Sequence, residues 1–116
     1  MTAAFAALLL MLSVQVTPQV HSATFSFYGP YYSVGEHLNA DGSPYSPDGL
    51  TIAAPPNLYW LLGRTVVVTV NGRSLMLKVA DKCPGCPPAQ LDLPDNVWAS
   101  FGQPFSRGIL RGSIVW

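Results

Sequence analysis

The run Arg64-Thr65-Val66-Val67-Val68-Thr69-Val70, closed by Asn71-Gly72 and answered by Ser74-Leu75-Met76-Leu77-Lys78-Val79-Ala80, constrains the fold of this chain most. β-Branched residues pack well on a pleated surface. Asn-Gly suits the two positive φ angles of a type I′ turn, so the two runs predict a β-hairpin. The return strand delivers Asp81 to its end, followed by Lys82-Cys83-Pro84-Gly85-Cys86 and then Leu91-Asp92-Leu93. Charged residues make up 10% of the chain, against about a quarter in an ordinary domain. Two carboxylates flanking the only two cysteines therefore stand out. A plainer reading makes Asp81 a strand end, Asp92 a partner for nearby backbone, and the cysteines a loop staple.

The remaining sequence predicts short strands, tight turns and one helix. A strand is expected at Thr24–Tyr28, and Asn39–Gly49 is dense in turn formers. Pro94–Phe101 reads as a helix with proline in its first turn and Gly102 closing it. Arg107–Trp116 reads as a last strand that Gly112 could interrupt. The chain's 116 residues fit one domain, a small closed β-barrel.

Ala3–Leu12 is apolar but too short to span a bilayer, and Val20 and Ser22 suit a signal-peptidase site before Ala23. The expected organisation is a signal peptide over 1–22 and a domain over 23–116, with no membrane span in the mature form. No Lys or Arg precedes Arg64, so either the true start lies upstream or the signal is atypical. Six basic residues balance six acidic ones, which leaves no electrostatic footprint for nucleic acid.

Four segments resemble the double-psi β-barrel family of the rare lipoprotein A, expansin and barwin type. Ser26-Phe27-Tyr28-Gly29 stands where that family opens with Ser/Thr-aromatic-Tyr-Gly. Asn39-Ala40-Asp41-Gly42 through Leu50-Thr51-Ile52-Ala53 follows its "T-A-N-G-E-x-F … L-T-A-A-H" loop. Gly63–Ser74 fits its central ribbon, and Val79–Cys86 with Leu91-Asp92-Leu93 is similar to its "V-x-D-x-C-P-G-C … L-D-L-S" segment. The resemblance covers Ala23–Trp116 and implies an all-β, six-stranded double-psi β-barrel with one or two short helices. Ser43 and Ala54 occupy the places of the Glu and His of its lytic transglycosylases. Asp81, Asp92 and Ser26 match positions that line a polysaccharide groove in expansins.

Asp81 is the candidate acid and Asp92 the candidate second carboxylate. An inverting glycosidase needs an acid and a base roughly 6.5–9.5 Å apart. A transglycosylase needs one acid protonated at working pH. Ser26, Tyr28, Tyr31, Tyr32 and Tyr45 are the candidate sugar-binding residues, the tyrosines because they sit among Gly and Pro and so read as surface. The alternative is that the aromatics fill the barrel. Glu36-His37 could be a relocated acid and imidazole or a solvated loop pair. Cys83 and Cys86 either pair with each other or stay reduced. No metal or other cofactor is expected, since too few ligands converge.

The first functional expectation is a secreted, monomeric barrel that binds cell-wall polysaccharide, peptidoglycan or a cellulose-like glycan, with weak or no hydrolysis. Two alternatives stand beside it. One is a minimal lytic transglycosylase or endoglucanase-like enzyme using Asp81. The other is an inhibitor of papain-like cysteine proteases, for which a protein is the partner.

Overall fold

The computed structural model describes residues 17–29 and 37–116. Six strands close a barrel: β1 (Val20–Phe27), β2 (Thr51–Ala54), β3 (Thr65–Val70), β4 (Arg73–Lys82), β5 (Gln90–Leu93) and β6 (Leu110–Val115). Around the barrel they run β1-β5-β2-β4-β3-β6, and β6 returns to β1. The β1/β5 and β2/β4 pairs are parallel, the rest antiparallel. Closure leaves no free sheet edge. A short helix α1 (Asp95–Ser100) and two 3-10 segments (Pro56–Leu61, Phe105–Arg107) complete the fold.

Alternation of side chains builds the interior. In β3, Val66, Val68 and Val70 point inward while Thr65, Val67 and Thr69 point out, as the period of two in a strand requires. Phe25, Ile52, Leu77, Val79, Leu91, Leu93 and Ile114 meet them from the other strands, and Trp98 of α1 packs fully buried against that core. Asn71 (φ 53°) and Gly72 (φ 80°) turn the β3–β4 hairpin, the two positive φ angles a type I′ turn needs.

Three elements differ from the sequence expectation. The region from Ala23 to Pro56 holds a second strand, β2, whose Ile52, Ala53 and Ala54 are all buried. A strand buried on both faces shows no alternation, so nothing periodic marks it. Gly112 does not interrupt β6. A Cβ there would lie 2.2 Å from the Thr69 carbonyl oxygen, so glycine is what lets β6 lie this close to β3. β1 starts at Val20, and Val20, His21 and Ser22 pair with Val115, Ile114 and Ser113. The expected cleavage before Ala23 thus falls within a paired strand; residues 1–16 lie outside the described residues.

Candidate functional site

A bulge sets the orientation of Asp81. Along the parallel β2/β4 pair, Ile52 faces Val79, but Ala53 faces Asp81 because the register slips past Ala80. An extra residue re-aims every side chain after it. Ile52 and Val79 belong to the core, so the slip puts Asp81 beside Ala53 on the outer face. On the other side of β2, Ala53 faces Asp92, and Asp92 faces Ser26 on β1. Directly opposed residues share a face. Ser26, Asp92, Ala53 and Asp81 therefore form one outward row across four strands. The two carboxylates stand two strand spacings apart, roughly 10 Å between Cα atoms.

Each carboxylate is held differently. Ser26 Oγ donates to Asp92 Oδ1 at 2.9 Å. Burial pushes the Asp92 carboxyl up to about 6; the Ser26 hydrogen bond opposes this, and the charges of Asp95 and Asp81 add to it. Asp81 receives two donors, the Tyr28 hydroxyl on Oδ2 at 2.7 Å and the Ala40 N–H on Oδ1 at 2.8 Å. Burial, and then the hydrogen bond to Asp81, hold the Tyr28 phenol well above its ordinary range. The Ala80 carbonyl, freed by the bulge, accepts from the Asp41 N–H at 3.1 Å. Asp81 and the bulge together grip a loop.

That loop is a small hairpin over residues 37–45, closed by a Leu38–Pro44 bridge and by hydrogen bonds from Asn39 N to Ser43 O and from Tyr45 N to His37 O. Asn39 and Tyr45 are its buried anchors, while Leu38 is 69% exposed. At the tip, the Ser43 hydroxyl and N–H bond Asp41, and these bonds hold the Asp41 carboxyl below its usual range. Lys78 reaches Asp41 at 3.6 Å.

The sequence-predicted residues thus divide. Ser26, Tyr28, Asp81 and Asp92 gather at one place. Tyr45, expected at the surface, is 1% exposed; its ring stacks under Tyr28 with centroids 4.4 Å apart. That corrects the expectation: Tyr45 supports the site from beneath and offers no face to a sugar. Tyr31, Tyr32 and Glu36 lie outside the described residues. Cys83 and Cys86 form a disulfide, in the loop that follows Asp81. Ser43 serves the hairpin tip and Ala54 is wholly buried in the core, so neither supplies the missing Glu or His chemistry.

Three participants were not foreseen. Ala53 is the hub between the carboxylates, the Ala40 N–H is a ligand of Asp81, and Asp95 Oδ1 accepts from the Gly29 N–H at 2.8 Å. Asp95 carried one signal, an acid in the first turn of a helix, but its partner is distant in sequence.

No family model matches the chain. The chain is 30% identical over 95 residues to a papain inhibitor from Streptomyces mobaraensis, covering 73% of this chain and 65% of that protein. It thus spans about two thirds of the length of that relative. Among solved structures, the Streptomyces papain inhibitor superposes with a TM-score of 0.66 at 27% identity, over 84% of this chain and 92% of the inhibitor. An apo expansin from Clavibacter michiganensis gives 0.68 at 20% identity, over 83% of this chain but 49% of the expansin. An Asp-to-Asn mutant of that expansin in complex with cellohexaose gives 0.62 at 19% identity, with the same two coverages. With its closed six-stranded barrel, the chain has the double-psi β-barrel fold that the Streptomyces papain inhibitor and the expansin share.

Proposed function

We propose that this protein is a secreted inhibitor of papain-like cysteine proteases that presents the 37–45 hairpin to its target. The observation that carries this reading is the state of Asp81. Both of its oxygens are taken, by Tyr28 and by the backbone of the hairpin. Those two bonds fix the carboxylate's position against the hairpin and leave each oxygen only its second lone pair for a sugar hydroxyl. As it stands, the carboxylate is a brace. A loop fixed before binding loses less conformational entropy in the complex, which favours tight association. Leu38 on the hairpin and Leu50 just before β2 are exposed and give a partner apolar area to bury. The likeness to a papain inhibitor at 30% identity supports the same reading, and the disulfide fits an oxidising compartment.

A second reading, binding of a cell-wall glycan, has one observation in its favour: Asp92 and Ser26 remain on a partly exposed outer row beside Asp81. Asp92, its carboxyl pushed up to about 6 chiefly by burial, would then be the candidate acid. Titration of papain with the purified protein separates these readings when run beside pull-downs on cellulose and peptidoglycan with product analysis. Stoichiometric loss of protease activity, weakened by Asp81→Asn, supports the inhibitor. Retention on a glycan with no effect on papain at micromolar concentration would discard it, and soluble sugar products would restore the enzyme.

A further inference from the structure

The six cations of this chain are not equally occupied. Lys78 pairs with Asp41, and the Lys82 ammonium sits over the Tyr59 ring. The Arg64 guanidinium sits over Trp60, and an Arg73 Nη1 donates to the Ser100 carbonyl at the end of α1. Only the guanidiniums of Arg107 and Arg111 make no hydrogen bond, ion pair or ring contact among the described residues, and both line the same cavity. It holds about 260 Å³ and is bounded by Val70, Asn71, Gln103, Ile109 and Leu110 besides the two arginines. No carboxylate lines it, and none of its residues belongs to the Ser26–Asp81 row.

We infer that this cavity is a binding site for a carboxylate-bearing sugar unit, a hexuronate. The argument rests on three kinds of lining group. Two unpaired guanidiniums present fixed forks of donors that match a carboxylate, an arrangement that gives strong charge-assisted bonds. The carboxamides of Asn71 and Gln103 each offer both donors and an acceptor, which suits ring hydroxyls. Ile109, an exposed apolar residue, offers surface to a sugar's C–H face, over a floor formed where Val70 and Leu110 enter the core. A bare inorganic anion would use only the first group and a neutral sugar only the other two. The volume corresponds to roughly nine waters, the scale of one monosaccharide. Asn71 is held at φ 53° by the hairpin turn, and Arg111 is registered against Thr24 on β1, so the walls are built on the barrel.

This site is independent of the protease reading. It is tested by titrating isotope-labelled protein with glucuronate, with glucose and with inorganic sulfate at constant ionic strength, following backbone and side-chain amide signals. Glucuronate is expected to shift Asn71, Gln103 and residues 107–111 saturably, with glucose inert and sulfate weaker. Arg107→Ala and Arg111→Ala should each weaken binding about tenfold or more, the usual scale for losing a charge-assisted bond. Arg107→Lys, which keeps the charge but not the fork, should fall between. Both side chains are exposed, and unchanged signals elsewhere establish that a variant is folded. Equal binding of sulfate and glucuronate, equal binding of glucose, or shifts confined to the Asp81–Asp92 row would each overturn the assignment. The comparison of ligands on the parent protein decides the matter even if a variant fails to fold.

Discussion

Replacing Asp92 with Asn should stabilise the protein at neutral pH and leave its acid stability almost unchanged. Asp92 titrates near 6 in the fold against 3.8 when unperturbed, chiefly because burial disfavours its charge. The folded state therefore holds this proton more tightly than the unfolded chain does. Its favourable contribution is complete below pH 3.8, declines as pH rises, and is gone above about 6. A shift of that size is worth at most about 3 kcal/mol at about 1.4 kcal/mol per unit. The side chain is partly exposed, so solvent screening reduces this to about 1.5 kcal/mol. Asp92→Asn removes the ionisation while leaving an oxygen to accept from Ser26 Oγ. Urea denaturation of both proteins from pH 3 to pH 8 reads the effect as a difference. Asp41, whose partners Ser43 and Lys78 the substitution leaves in place, contributes alike to both proteins and cancels. The variant should gain about 1.5 kcal/mol above pH 7, roughly 5–10 °C in midpoint for a domain of this size, and the two curves should converge towards pH 3. A difference that stays constant with pH, or one that grows in acid, would refute the burial argument.

Other expectations follow from single contacts. Gly112→Ala drives a methyl group into the Thr69 carbonyl and should cost roughly 2–4 kcal/mol by prising β6 from β3, read by chemical denaturation. Tyr28→Phe leaves Asp81 Oδ2 without its donor and should cost about 1–3 kcal/mol. The Ala40 amide should then exchange its hydrogen faster, and an unchanged exchange rate would mean that Asp81 does not brace the hairpin. A chain starting at Ala23 loses the β1 pairing of Val20, His21 and Ser22, both Gln19–Trp116 backbone bonds and the His21–Trp116 stack. It should melt well below one starting at Thr17. Were the chain processed on export, intact mass would accordingly place the new terminus at or before Gln19.

The features legible in the sequence were those whose causes are local. Asn71-Gly72 specifies its turn through its own φ preferences, and the alternation in β3 needs only one buried face, so the hairpin that carries Asp81 could be read directly. β2 could not, because a four-residue strand lying between β4 and β5 has no exposed face to show polarity. The same limit applies at the site. Asp81 and Asp92 stand out by the scarcity of charge around them, and Ser26 only by likeness to a known groove. That both acids flank Ala53 follows from a bulge at Ala80, which no periodicity announces. Tyr45 was misplaced because its Gly- and Pro-rich neighbours suggest a surface, whereas the 37–45 hairpin folds it beneath Tyr28. This error bears on function. The row of Ser26, Asp92, Ala53 and Asp81 is a property of the barrel and would look the same in a binder, an enzyme or an inhibitor. What distinguishes them is whether a loop has taken up the acids. Here the backbone of Ala40 and the phenol of Tyr28 each hold one oxygen of Asp81, so under the proposed reading recognition moves from the carboxylates to the hairpin they brace.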